Sequence, residues 1–180
     1  MKSLPEDRDF IRKKSLCACV VWISTVTFWY FIFPVSVPHL ETSWDKVEYT
    51  LRWLHLSVYT LLFGIISVGI TRYQTNAIDP LTGRGEHLVD VSQRYLRNTM
   101  EQLVLHVTGL LTLSSYLPPH LMTLIPCFVM LFVIGRATFL IGYRISSLHR
   151  TFGFSLTFIG NIVTLLSCTV FICVTGPSNS

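Results

Sequence analysis

The stretch Arg94-Tyr95-Leu96-Arg97-Asn98-Thr99-Met100-Glu101 runs directly into the apolar segment Gln102–Leu117. Spacings of four and three place Arg94, Asn98 and Glu101 on one face of a helix. The segment that follows is apolar enough to enter a membrane. A charged or amide group carried into lipid is expensive, and it faces a bundle interior or a water-filled cavity. This face is therefore expected to point at other protein, and it is the first candidate for a site.

Composition agrees with a membrane reading. The 180 residues are 51% hydrophobic and only 13% charged, where a soluble domain carries about 25% charged residues. A span needs roughly 20 apolar residues. Five segments qualify: Leu16–Val37, Leu51–Ile70, Asn98–Leu117, Leu121–Tyr143 and Phe154–Val174. The fold class is thus all-α and integral membrane, with five transmembrane helices. Pro34 is expected to end or kink the first of them. The first segment also has the basic flank of a signal peptide, but its long aromatic core and the lack of a small-residue cleavage site favour a retained anchor. Its aromatic residues are expected to face lipid.

Basic residues set the orientation. Lys2, Arg8, Arg12, Lys13 and Lys14 precede the first span. Arg72, Arg84, Arg94 and Arg97 flank the second connection, and Arg136, Arg144 and Arg150 surround the fourth span's end. Only Lys46 and Arg52 fall on the other side. The positive-inside rule puts the N-terminus in the cytosol and the C-terminus in the lumen. The net charge of +4 is then a topology signal with membrane lipids as its partners, and nucleic acid is not expected. Residues 1–14 read as a mobile basic cytosolic tail, 15–38 as an N-terminal transmembrane anchor, 47–174 as the main membrane domain and 175–180 as a lumenal tail.

The cysteines, Cys17, Cys19, Cys127, Cys168 and Cys173, are odd in number and show no metal spacing. Neither a disulfide framework nor a metal site is expected. Asn161 is read as a packing hydrogen bond within the last span, and His106 as a satisfied bundle histidine. Arg136, Phe139 and Tyr143 share a face of the fourth span, followed by Arg150. With Arg72 and Arg94 these residues are expected to gather positive charge around one carboxylate, Glu101, in a cluster suited to a small anionic ligand.

The spacing R-x-x-x-N-x-x-E at Arg94–Glu101, followed by the run Arg136–Tyr143 and Arg150, resembles the signature of the MAPEG family, the membrane-associated proteins of eicosanoid and glutathione metabolism. The resemblance covers about Val47 to Val174, with Leu16–Val37 as an addition to the usual four helices. It implies a trimeric four-helix bundle that binds glutathione in clefts between subunits, towards the cytosol. Arg94, Asn98 and Glu101 would hold the tripeptide backbone, Arg72 would be a further carboxylate contact, Arg136 would belong to the same glutathione-binding set, Tyr143 would hydrogen-bond, and Arg150 matches the arginine that, in the leukotriene-forming branch, stabilises the thiolate. The chain departs from the pattern at Phe139 and Gln102, where the leukotriene-forming branch has tyrosines, and at Leu96, where the microsomal transferase has a histidine.

The added span makes the chain most similar to a five-span member of the family. That implies a membrane protein of the endoplasmic reticulum, Golgi and endolysosomal membranes. Vesicle trafficking, epithelial barrier formation or receptor turnover would be its roles, through membrane-protein partners and with a reduced glutathione site. The alternative implied by the same residues is a glutathione transferase or peroxidase acting on lipophilic electrophiles.

Overall fold

A computed structural model describes residues 4–32, 37–79, 81 and 83–176. Five long helices follow one another: α1 (Leu4–Ile32), α2 (Ser43–Gln74), α3 (Glu86–Tyr116), α4 (Leu124–Ile145) and α5 (Thr151–Thr175), with a short 3-10 turn at Pro119–Leu121 between α3 and α4. No strand occurs among the described residues. By length and composition, α1, α2, α4 with its preceding turn, and α5 can each cross a membrane. The expected third span lies on α3. It is long enough, but Glu86, Asp90, Arg94, Arg97 and Glu101 in its first half set its composition apart from the other four.

α2 and α3 are set by local contacts at their ends. Thr42 caps α2 in a reciprocal box: its Oγ1 accepts from the Asp45 backbone N–H at 3.1 Å, and its own N–H donates to Asp45 Oδ2 at 2.8 Å. These bonds, led by that from the Thr42 backbone, hold the Asp45 carboxyl below the usual range. At the same end of the bundle Lys46 Nζ donates to Leu117 O, 2.8 Å away. This places a cation on the last carbonyl of α3. Gly85 precedes α3 with φ 67°, a left-handed conformation that glycine adopts without strain. A Cβ there would also lie 3.0 Å from the Ala77 backbone nitrogen.

α2 and α3 form a long antiparallel hairpin. Tyr95 donates to Thr60 O at 3.1 Å and packs against Gly64, and Ser67 meets Ser92 at 3.2 Å. α4 and α5 approach even more closely, because a Cβ on Gly153 would run into the Phe139 backbone nitrogen. The apolar core near the Lys46 end joins Leu54, Leu110, Leu113, Met122, Ile125 and Val129.

Two expectations need correction. Residues 4–14 are no loose tail; they extend α1. Glu6 and Asp7 sit in its first turn, and Asp9 pairs with Arg12 at 2.9 Å and Lys13 at 2.7 Å, one turn on. Nor do all the α1 aromatics face lipid. Phe28 and Phe31 are exposed, but Trp22 stacks on Phe128 at 5.7 Å and Trp29 Nε1 donates to Thr123 O at 3.0 Å. Ala18 and Trp22 therefore seat α1 against α4 and α5, around Cys127, Leu131 and Leu156. Pro34 and the last four residues lie outside the described residues.

The glycines give a sharp test of this packing. Gly153→Ala must push α4 and α5 apart and is expected to cost about 1–3 kcal/mol or more, as overpacking does. Gly69→Ala meets nothing within 4 Å and is expected to gain up to about 1 kcal/mol from helix propensity. Thermal unfolding in one detergent, on the two variants side by side, checks both signs.

Candidate functional site

Arg136 is the largest fully buried side chain among the described residues, with 0% exposure. It lies in the α4 run Phe-Val-Ile-Gly-Arg-Ala-Thr-Phe, between Phe132 and Phe139 on the inward face. Its Nη1 donates to Asn98 Oδ1 at 2.8 Å. Its Nη2 donates to Thr157 Oγ1 and, at 3.5 Å, to Gly153 O. The guanidinium carbon stands 4.8 Å from the Phe139 ring centre and 5.9 Å from that of Phe132. All of these partners are neutral, and Nε has none among the described residues. The charge is held by oriented dipoles and aromatic faces instead of a carboxylate. Arg136 thus ties α3, α4 and α5 together, and one of its ties is to the asparagine of the candidate motif.

Asn98 also opens on the other side. With Phe139 and Arg150 it lines a cleft of about 560 Å³, whose far walls are Phe154, Ser155, Phe158 and Ile159 of α5 and Ile11 and Ser15 of α1. Ser15 Oγ and Ser155 Oγ are 2.9 Å apart, so α1 is fastened at the cleft's edge. Arg150 occupies the N-cap position of α5 and lies over the Tyr143 ring at 4.7 Å. Tyr143 in turn stacks on Phe139 at 5.8 Å and 8°. Tyr143 also interacts with Arg94, whose main partner is Asp90, one turn back, with both carboxylate oxygens 2.8 Å from Nε. Among the described residues no acidic side chain lines the cleft. Its chemistry is a guanidinium and an amide set in a mostly apolar wall, which suits an anion with an apolar portion.

Asn98, Tyr143 and Arg150 come together as the sequence suggests, and Tyr143 links them to Arg94. The expected gathering of arginines around Glu101 does not occur in the single chain. Each arginine has a nearer partner: Arg94 takes Asp90, Arg136 takes Asn98, and Arg72 grips Glu86 at 2.8 and 3.3 Å and Ala77 O at 2.8 Å. Glu101 lies on the exposed outer face of α3 and has no polar partner among the described residues. Phe139 and Gln102, the positions without the family's hydroxyls, are committed to packing. Asn161 Nδ2 donates to Gln102 O at 3.0 Å and to Gln102 Oε1 at 2.9 Å, the packing bond expected of Asn161. His106 stacks on Phe132 at 4.2 Å and its side chain interacts with that of Asn161, as expected of a bundle histidine, while its Nε2 is buried without a partner among the described residues.

Sequence reasoning missed Thr157, Ser155, Ile11 and Ser15. For Thr157 a signal exists: Gly153, Thr157, Asn161, Thr164 and Cys168 recur at helical spacing in an otherwise apolar segment. All five are buried against the rest of the bundle. The α1 residues carry no such mark.

Removing Asn98 or Thr157 strips a charge-assisted bond from an arginine that cannot reach water. Asn98→Ala is expected to cost about 1.5–3 kcal/mol, and thermal unfolding in detergent measures it. The Arg72–Glu86 pair makes a second, pH-dependent test. The Arg72 hydrogen bond holds the Glu86 carboxyl below its ordinary value of 4.5. Its stabilising contribution is therefore complete above that value and disappears as pH falls through the lowered one. Hydrogen exchange corrected for intrinsic rates should show residues 76–79 and 83–85 losing protection in acid. In Arg72→Gln they should already lack it at neutral pH.

The MAPEG family model matches residues 50–170, which run from the first turns of α2 to within α5. Transmembrane protein 79 of Mus musculus, also called mattrin, is 24% identical over 164 residues, or 91% of this chain and 42% of that protein. The Bos taurus protein of the same name is 28% identical over 137 residues, or 76% of this chain and 34% of that protein. The chain thus spans less than half the length of these curated relatives. No solved structure gives a significant match. A family match that takes in the α3 motif, the buried Arg136 and the Tyr143–Arg150 pair settles the kinship: the chain belongs to the MAPEG family.

Proposed function

We propose that this chain is a mattrin-like, multi-pass membrane protein of the secretory and endolysosomal system. It works through membrane-protein partners in vesicle trafficking, epithelial barrier formation or receptor turnover, and it keeps a reduced glutathione-type site. In this reading α3 is the fifth crossing, the N-terminus is cytosolic, the C-terminus is lumenal, and three copies assemble. The observation that carries it is the commitment of Phe139 and Gln102 to internal packing. Two positions that bear ligand hydroxyls in the leukotriene-forming branch here close the bundle instead.

The residues that remain fit a glutathione-sized anion in part. Arg94 and Glu101 share the outer face of α3, where a neighbouring copy would complete the site. Glu101, without a polar partner among the described residues, and Arg94, two turns back and paired with Asp90, would match an ammonium and a carboxylate of the tripeptide. Asn98, Tyr143 and Arg150 would meet it from the cleft side. Arg136 supports Asn98 from behind, and Arg72 acts at a distance by fastening the α2–α3 connection. Bound glutathione would supply a thiol.

Arg150 favours a second reading, a glutathione transferase or peroxidase acting on lipophilic electrophiles. It borders the cleft with no carboxylate partner among the described residues. Lowering a thiol pKa by about two units requires roughly 2.7 kcal/mol. One cation about 4 Å away supplies about 4 kcal/mol at an effective dielectric near 20. A single arginine is enough on that arithmetic, so the missing tyrosine hydroxyls do not by themselves abolish the chemistry.

Titration of the detergent-solubilised protein with glutathione separates the readings. The reduced site predicts calorimetric binding that Glu101→Ala weakens, with no saturable ultraviolet thiolate absorbance. A saturable thiolate signal that Arg150→Ala abolishes selects the enzyme. Failure to bind glutathione at all removes the site and leaves the bundle as a scaffold.

A further inference from the structure

A second recess lies between α2 and α4, two helices with the length and composition to cross a membrane. It holds about 400 Å³ and is a groove open along one side. Tyr95 and Leu140 form its buried floor, while Tyr59 and Phe63 of α2 and Ile141 of α4 stand exposed at its rims. Ala137, small and exposed, leaves the trough between the rims unfilled. On α4 the groove runs from Val133 to Arg144, about 16 Å at about 1.5 Å per residue. One leaflet of a bilayer's hydrocarbon core is about 15 Å deep.

The hydroxyls of this groove are engaged within the protein. Tyr95 donates to Thr60 O, Thr60 Oγ1 donates to Ser57 O at 2.7 Å, and Tyr59 Oη pairs with His55 Nε2 at 3.2 Å. Arg144, in the last turn of α4, is exposed and has no polar partner among the described residues. Among those residues no acidic side chain lines the groove. It is thus apolar along its length and cationic at one end. Lipid tails are as apolar as leucine, so an apolar trough by itself gives one lipid little advantage over another. The guanidinium supplies a preference, because its fork of donors matches a phosphate.

We infer that this groove binds one acyl chain of an anionic phospholipid, with the lipid's phosphate on Arg144. The open side favours a two-chain lipid: one chain lies in the trough while the other stays in the bilayer. In the proposed orientation Arg144 stands at the cytosolic face, whose leaflet carries the anionic lipids. The groove shares no lining residue with the cleft of Asn98 and Arg150, so this is a separate site. A lipid held there fills the seam between the α2–α3 hairpin and the α4–α5 pair.

Native mass spectrometry tests this on the full chain, delipidated in detergent and mixed with dioleoyl phosphatidylglycerol or dioleoyl phosphatidylcholine. Phosphatidylglycerol is expected to bind about fivefold more tightly, the contribution of one basic residue at an anionic surface. Arg144→Gln should remove that preference. Arg8→Gln, which changes a basic residue of α1 outside the groove, should keep it. Ala137→Phe fills the trough and should weaken binding of both lipids at least threefold. Should that variant not fold, Ala137→Leu must give the same loss. Equal affinity for the two lipids in the unsubstituted chain overturns the proposal, as does a preference that survives Arg144→Gln or binding that a filled trough leaves unchanged. Displacement of phosphatidylglycerol by an equal concentration of oleate overturns it in favour of a free fatty acid. A change of oligomer mass on filling the trough overturns it in favour of a second copy of the chain.

Discussion

A cation sealed inside a helical bundle with no counter-charge constrains everything around it. Arg136 stays charged because Asn98, Thr157 and the Gly153 carbonyl point their negative ends at it, and because two phenyl faces flank it. Each of these needs an exact backbone position. Gly153 must lack a side chain for α5 to come close enough to α4, and Thr157 must follow it by one turn. Asn98 must sit at the level on α3 where it faces Arg136 and the cleft at once. Changing any one leaves a buried guanidinium with less solvation than it needs, which is among the costlier errors a fold can contain. The α3 motif therefore has a structural duty that is independent of any ligand, and this explains how its framework could persist while hydroxyls around it are lost.

Much of this was legible in the sequence. Low charge, long apolar runs and basic flanks dictate a membrane helical chain, and the spacing of Arg94, Asn98 and Glu101 picks out the helix that carries the site. The direction each side chain takes was less legible. Residues at i, i+4 and i+7 share a face, but that face is broad enough for Asn98 to turn inward while Glu101 remains outside. Partner choice among arginines was opaque for a related reason. A guanidinium takes the nearest acceptor in three dimensions, and for Arg72 that is Glu86, across the α2–α3 connection. Periodicity within one helix holds no information about such pairs. The inward Trp22 and Trp29 were misread because an aromatic-rich, apolar helix looks the same whether lipid or protein faces it.

The added helix changes the character of the bundle. In the four-helix core, α5 would present its outer groove to whatever lies beside it. Here α1 fills part of that groove, from Ser15 against Ser155 to Trp29 at the Thr123 carbonyl. The cleft that contains Asn98 and Arg150 is thus bounded within one chain on a side that α1 alone supplies. A ligand of this cleft would have to fit a space narrowed by a helix that lies outside the matched family region.

The reciprocal cap at Thr42 and Asp45 has a consequence for where the protein can reside. In the proposed orientation it faces the lumen, and secretory and endolysosomal lumens acidify. A cap that rests on an ordinary aspartate opens only as pH falls through about 3.8. Asp45 resists, because two bonds to Thr42 favour its ionised form. The first turn of α2, and the Lys46 contact to the end of α3 beside it, therefore keep their bonds further into acid than an unperturbed carboxylate would allow.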